Sequence, residues 1–303
     1  MAVESRMLRG ELRHDEPMAR HTSWRVGGPA RCWYRPADIE DAQRFLAGVA
    51  TDEPLYWVGL GSNLLVRDGG IPGTLVAPGG GLTGLRRLGE TGIYAEAGVT
   101  SARLARFCAQ AGLAGAEFLA GIPGTLGGAL AMNAGAFGGE TWDLVRRVCT
   151  LDRGGRLRWR PATAFVGGYR SVRGLKRDEW FVAAELALRP GADAAALQQR
   201  IRDLLATRGR HQPTGQPSCG SVFRNPPGDY AGRLIEAAGL KGHRIGGAHV
   251  SERHANFIVN SGHATAADIE QLILEIQQRV EQRFGIHLQP EVRILGVAAG
   301  AAP

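Results

Sequence analysis

The chain has 303 residues, 36 Lys and Arg against 29 Asp and Glu, a formal net charge of +7 and 44% hydrophobic content. That length allows two or three domains with a sizeable core, and the composition is that of an ordinary globular protein rather than a disordered or fibrous one. No apolar run approaches the ~20 residues of a membrane helix, and Met1 to Glu16 is too charged and mixed for a leader, so a cytoplasmic protein with no membrane partner is expected. The positive charge is arginine spread along the chain, with only Lys176 and Lys241 as lysines; it predicts no nucleic-acid partner and suits a small anionic substrate. Cys32, Cys108, Cys149 and Cys219 form no CxxC pair, so reduced thiols and no metal are expected.

Residues 1–20 are expected to be a lead-in or a short helix. A strand over Arg31–Arg35 and an amphipathic helix over Ala37–Gly48 follow, with Ile39, Ala42, Phe45 and Leu46 on one stripe and Asp38 in the first turn. Leu55–Val58 reads as a strand that feeds Gly59-Leu-Gly-Ser-Asn-Leu-Leu-Val66, a glycine turn followed by a second strand. Gly79–Gly81 marks a hinge, Ile93–Val99 a strand, and Ser101 the N-cap of a helix to Gln110 that Gly112 stops. A second glycine cluster, Gly121-Ile-Pro-Gly-Thr-Leu-Gly-Gly128, leads into the small-residue run Ala129–Phe137. Strands are expected at Val145–Asp152, Arg156–Arg160 and Phe181–Arg189, with a boundary at Pro190–Asp193. Beyond it stand a helix over Ala194–Thr207 with Leu197, Ile201, Leu204 and Leu205 facing in, and a short helix carrying Ala231, Leu234, Ile235 and Ala238. A strand at Asn256–Val259 precedes a long helix from Thr265 with Ile269, Leu272, Ile273, Ile276 and Val280 as its stripe. Thr265-Ala-Ala-Asp268 is a capping-box variant, Gly285 a stop, and Ile286–Leu295 an alternating strand. Ala298–Pro303 is a fraying tail.

Neither glycine loop is a dinucleotide fingerprint or a Walker loop: Leu64 replaces the third glycine of the first, and the second lacks Gly-Lys-Ser/Thr. Each is either a tight turn or a cradle of backbone N–H groups for an anion; two in one chain favour a diphosphate ligand. Three further patterns carry polar chemistry: Gly168-Tyr-Arg-Ser171, Ser218-Cys-Gly-Ser-Val-Phe-Arg-Asn-Pro226 and Gln289-Pro-Glu-Val-Arg293. Taken singly, each also fits a solvated charge or a turn.

Taken together and in order, Ser23–Ala30, Gly59–Val66, Gly121–Gly128, Tyr169–Ser171, Gly220–Pro226, His254–Asn260 and Pro290–Val292 resemble the UDP-N-acetylenolpyruvoylglucosamine reductase (MurB) family, in its shorter form without an inserted tyrosine loop. The resemblance implies an α+β chain: a two-subdomain FAD-binding fold of the vanillyl-alcohol oxidase (PCMH) type over 1–78 and 79–191, and a C-terminal α+β substrate domain over 192–303. It implies non-covalent FAD, since Arg25–Pro29 offers no His or Cys for attachment, with NADPH as reductant and a UDP-sugar substrate. Nothing in the pattern fixes the oligomeric state, and a monomer is compatible with it. Gly59, Gly61, Ser62, Asn63 and Leu64 match the family's pyrophosphate loop, and Gly121, Ile122, Pro123, Gly124 and Gly127 its second flavin segment. Arg170 matches an arginine that stabilises developing carboxylate charge, Glu291 a glutamate that polarises it with a raised pKa, and Ser221 the proton donor. Tyr169 and Asn225 match substrate contacts; Arg224 stands where lysine is usual, and His211 and His249 where Lys and Gln are expected. A flavin oxidase of the same fold would keep the glycine loops without needing Arg170, Ser221 and Glu291 together.

Overall fold

Val145–Asp152, Leu157–Pro161 and Glu179–Ala187 are rich in β-branched, aromatic and other apolar residues that fit a pleated, half-buried surface. With Gly92–Glu96 and Leu85–Leu88 they form a five-stranded antiparallel sheet, in the order Leu157–Pro161, Val145–Asp152, Glu179–Ala187, Gly92–Glu96, Leu85–Leu88. The computed structural model describes residues 8–300, and these fall into two units. The first runs to Arg13 and adds Trp33–Gly59 and Thr74–Thr207; the second takes His14–Cys32, Leu60–Gly73 and the chain from Arg208 onward.

Within the first unit, helix α1 (Ile39–Gly48) is capped by Asp38, whose carboxylate accepts from the Asp41 N–H at 2.8 Å. Asp38 is therefore the N-cap rather than a first-turn residue. Ala42, Phe45 and Leu46 bury against Tyr34, Val76, Leu151 and Val182, and the Phe45 ring stacks on Tyr34 at 3.8 Å. Helix α2 (Ser101–Gln110) is capped one residue earlier than expected: Thr100, not Ser101, accepts from the Arg103 N–H. Helix α3 (Leu126–Met132) follows the second glycine cluster, and helix α4 (Ala194–His211) runs four residues beyond the expected end. Leu197 and Ile201 of α4 join the core with Leu104, Leu126 and Val148. Leu205 does not face in; it is 40% exposed, because the core contacts of α4 stop at Ile201 and its last turns carry Arg208, Arg210 and His211.

The expectation for residues 1–20 fails over the described part, and residues 1–7 lie outside the described residues. Glu11–Pro17 is a strand and Met18–Arg20 a single 3-10 turn. Its sequence has little apolar alternation; its place in a four-stranded sheet ordered Glu11–Pro17, Pro29–Arg35, Ile71–Val76, Leu55–Trp57 supplies the missing partners. The last pair is parallel, Leu55 facing Thr74 and Trp57 facing Val76.

In the second unit, Arg244–Ile245, Ala248–Val250 and Ile258–Asn260 form an antiparallel sheet beside helices α5 (Ala231–Ala237) and α6 (Ala266–Phe284). Ile269, Leu272, Ile273, Ile276 and Val280 are all buried on α6, each stabilising the fold by roughly 1.5–3 kcal/mol. Thr265 and Asp268 form the capping box, and the Asp68 carboxylate accepts from Ala266 and Ala267 N–H at 2.9 Å each. The N-terminal N–H groups of α6, which have no partner within the helix, are thus satisfied by side chains. Gly285, left-handed at φ 67°, closes α6. The final strand is shorter than its alternation suggests: only Arg293–Leu295 pairs, in parallel with Leu64–Val66. Leu288 and Val292 are buried as the alternation requires, but Pro290 has no N–H to continue a ladder and makes one isolated bridge to Phe223.

Candidate active site

The first glycine loop is shaped by close packing. At Gly59, in the first unit, an added Cβ would lie 2.7 Å from the Thr125 hydroxyl oxygen. At Gly61, in the second, it would collide with the backbone carbonyl of His21, and the residue is left-handed at φ 61°; only glycine meets both demands. The Gly61 carbonyl accepts from the Ser23 N–H at 3.1 Å. Ser62 and Asn63 are half-buried, and Leu64, buried, starts the next strand.

The second glycine segment leads from the turn Glu117–Gly121 into α3. Gly121 and Ile122 are buried and Pro123 exposed; the Gly124 carbonyl accepts from Ser101 N–H at 3.1 Å, and Gly127 N–H donates to Ala97 at 2.9 Å. Two hydroxyls in this region, Ser101 Oγ and Thr125 Oγ1, are buried with no hydrogen-bond partner among the described residues. Leaving such groups unsatisfied costs about 1–3 kcal/mol each. Buried hydroxyls that await partners, one of them packed against the glycine loop at Gly59, fit a polar phosphorylated cofactor such as FAD. Thr125 carries no signal of its own in the sequence; it lies inside a motif read for its glycines.

Arg170 sits at the turn of a two-stranded hairpin, Val166–Gly168 with Ser171–Arg173, at φ 51°. Its guanidinium lies over the Tyr169 ring, 5.5 Å from the centroid, and donates to the Gly135 carbonyl at 3.4 Å. Asn133, the left-handed C-cap of α3, braces the hairpin: its Nδ2 donates to the Gly168 carbonyl at 3.3 Å and to Glu140 at 2.8 Å, while Trp142 N–H donates to its Oδ1 at 3.1 Å. The helix that follows the glycine segment is thereby tied to the turn that presents Arg170.

In the second unit, the Ser221 and Glu291 segments lie side by side. Glu291 N–H donates to the Val222 carbonyl at 2.7 Å, Arg224 N–H donates to the Gln289 carbonyl at 2.9 Å, and Phe223 bridges Pro290. Asn63 joins them: its Nδ2 donates to the Glu291 carbonyl at 3.1 Å, and Arg293 N–H donates to the Asn63 backbone carbonyl at 3.0 Å. Asn63, Ser221, Arg224 and Glu291, separated by up to 228 positions, are thus neighbours. Asn225 Oδ1 accepts from Ala231 N–H at 3.1 Å, the first residue of α5. His211 is exposed at the end of α4. His249 lies on the middle strand of the three-stranded sheet, its Nδ1 3.0 Å from Ser261 Oγ, and burial with the nearby Arg244 charge lowers its pKa. Among the described residues, no group of three or more His, Cys, Asp or Glu could hold a metal ion, and no helix is long and apolar enough to cross a membrane.

Residues 30–159 match the model of an FAD binding domain, and residues 212–295 match that of the UDP-N-acetylenolpyruvoylglucosamine reductase C-terminal domain. The class defined by fold and glycine loops is the FAD-binding fold of the vanillyl-alcohol oxidase type carrying an added α+β domain, as expected. A crystal structure of 6-hydroxy-D-nicotine oxidase from Arthrobacter nicotinovorans shares that fold at TM-score 0.54 and 11% identity, over 95% of this chain and 88% of its own. UDP-N-acetylenolpyruvoylglucosamine reductase of Alkalilimnicola ehrlichii is 63% identical over 98% of this chain and 99% of its own, and that of Methylococcus capsulatus 62% over 96% and 95%. The crystal structure of the Thermus caldophilus reductase superposes at TM-score 0.79 with 32% identity, over 96% of this chain and all of its own. The chain belongs to the UDP-N-acetylenolpyruvoylglucosamine reductase family.

Proposed function

We propose that the protein reduces the enolpyruvyl ether of UDP-N-acetylglucosamine to the lactyl ether, giving UDP-N-acetylmuramate for peptidoglycan synthesis, in the cytoplasm and at the expense of NADPH. FAD, when bound, would supply the hydride chemistry by which reducing equivalents of NADPH reach the enolpyruvyl alkene. The glycine segments at 59–64 and 121–127 would hold it, with Thr125 and Ser101 hydroxyls as added polar contacts. In this reading residues 1–78 and 79–191 serve the flavin and 192–303 the substrate, in line with the two family-model matches.

Hydride addition leaves a carbanion next to the substrate carboxylate. Arg170, a fixed fork of donors, takes up the charge that spreads onto that carboxylate. Glu291 shares a proton with the same group. Ser221 delivers its hydroxyl proton to the carbanion carbon, so one hydride and one proton complete the saturated bond. Tyr169, Arg224, Asn225, His211 and His249 contact the rest of the substrate. The observation that supports this most is the pairing of the Ser221 segment with the Glu291 segment, joined by Asn63 of the glycine loop.

Rapid mixing separates the two half-reactions. Ser221→Ala is expected to leave flavin reduction by NADPH within about twofold and to slow reoxidation by the enolpyruvyl sugar by at least ~10²-fold, as loss of a positioned acid does. Equal damage to both half-reactions, or reoxidation by oxygen that ignores the sugar, would contradict the assignment.

A further inference from the structure

The stretch after Ser221 is held by a side chain where a strand would be expected. Asn256 is 3% exposed. Its Oδ1 accepts from Phe223 N–H at 2.9 Å, and its Nδ2 donates to the Phe223 carbonyl at 2.8 Å. Its backbone carbonyl accepts from Val222 N–H at 2.9 Å. The carboxamide thus gives Phe223 both bonds that a facing residue of an antiparallel pair would give it. The remaining backbone group, the Val222 carbonyl, accepts from Glu291 N–H at 2.7 Å. Every backbone donor and acceptor of Val222 and Phe223 is therefore engaged, by Asn256 on one side and the Glu291 segment on the other. Both side chains are 1% exposed in the core, so this peptide pair has little freedom to shift.

Ser221 is the residue immediately before this clamped pair, and Glu291 is bonded to its middle. A rotation of the Val222–Phe223 peptides would move the Ser221 hydroxyl and the Glu291 backbone together. We propose that Asn256 is a positioning residue for Ser221 and Glu291: it touches no reacting atom and sets the geometry of two groups that do. The inference rests on the role given to Ser221 above. It also explains a buried amide that has no place in an apolar core: a carboxamide is the side chain that can meet a backbone N–H and C=O at once.

The test uses Asn256→Asp in the full-length, flavin-loaded protein. The carboxylate still accepts from Phe223 N–H but faces the Phe223 carbonyl without a donor. Expected are a reductive half-reaction within about twofold of wild type and a reoxidation by the enolpyruvyl sugar slowed tenfold or more at pH 8. That deficit should shrink as pH falls and the carboxyl regains a proton to donate. In a Ser221→Ala background, Asn256→Asp should slow reoxidation by a clearly smaller factor than in the wild type, because misplacing an absent hydroxyl has no effect and only the displacement of Glu291 remains. Multiplicative effects of the two substitutions, or parallel loss in both half-reactions, would overturn the inference and leave Asn256 a purely structural residue. If Asn256→Asp does not fold, Asn256→Ser, which retains a donor and an acceptor, is measured by the same cycle with the same criteria. Should Ser221→Ala itself leave reoxidation intact, the failure lies with the proposed role of Ser221, and it is visible before Asn256 is altered.

Discussion

At the scale of the residue, the conformation of Arg170 stands out. A non-glycine residue at φ 51° costs about 1–2 kcal/mol relative to right-handed backbone, and such strain concentrates where a side chain must be aimed. Alanine at 170 would keep the strain and lose the side chain; glycine would lose both. Calorimetry should therefore find Arg170→Gly more stable than Arg170→Ala by about 1 kcal/mol, while both slow reoxidation by the enolpyruvyl sugar by ~10²-fold or more. An Ala variant as stable as the Gly variant would show that the turn is unstrained. Arg170, Ser221 and Glu291 could be proposed from the sequence because they stand in recognisable motifs. Thr125, Asn133 and Asn256 were not, since a lone hydroxyl or amide between apolar neighbours shows its role only when its bonds are traced: Asn256 to Phe223, 33 positions away, and Asn133 to Gly168, 35 positions away.

Elements read best where local pattern and tertiary partner agree. The stripe, capping box and glycine stop of α6 were all visible in one window, and the structure keeps them. Glu11–Pro17 was missed because a polar strand is made by its neighbours, and Ile286–Leu295 was overextended because alternation persists through Pro290 while the ladder does not. Helix α1 offers a pH test. Asp41 is fully buried and accepts from Tyr34 Oη, Ala37 N–H and Arg9 N–H. Burial alone would raise its pKa, but these bonds outweigh burial and hold it below the usual carboxylate value. Its contribution is thus present above the unfolded value near 4 and lost as pH falls through the lower folded value. Urea titrations of Asp41→Ala should show a loss of about 3 kcal/mol or more at pH 7, where three donors are left unmatched, and a narrowing gap to wild type below pH 4. A gap unchanged down to pH 2 would mean the carboxylate charge is immaterial.

For the whole molecule, the net charge of +7 suits an anionic nucleotide substrate and is shared by too many proteins to identify one; the ordered set of motifs carried the identification. The chain's threading was not legible at all. Hydrophobic periodicity marks helices and strands but not which of them belong to one unit, and the second unit is assembled from His14–Cys32, Leu60–Gly73 and everything after Arg208. Trp24, Val26 and Leu65 are buried in its core, with Trp24 Nε1 donating to the Ile258 carbonyl and Asn260 Nδ2 to the Trp24 carbonyl, both at 2.8 Å. Those three side chains account for several kcal/mol at roughly 1.5–3 each, comparable with the 5–15 kcal/mol of a whole domain. A gene fragment encoding 192–303 alone should therefore give a product with no sharp thermal transition, and adding a peptide of residues 14–32 in trans should restore part of it. Surgery that treats this polypeptide as beads on a string will cut through a hub, whereas grafts that carry the early tryptophan along with the late helices keep the hub whole.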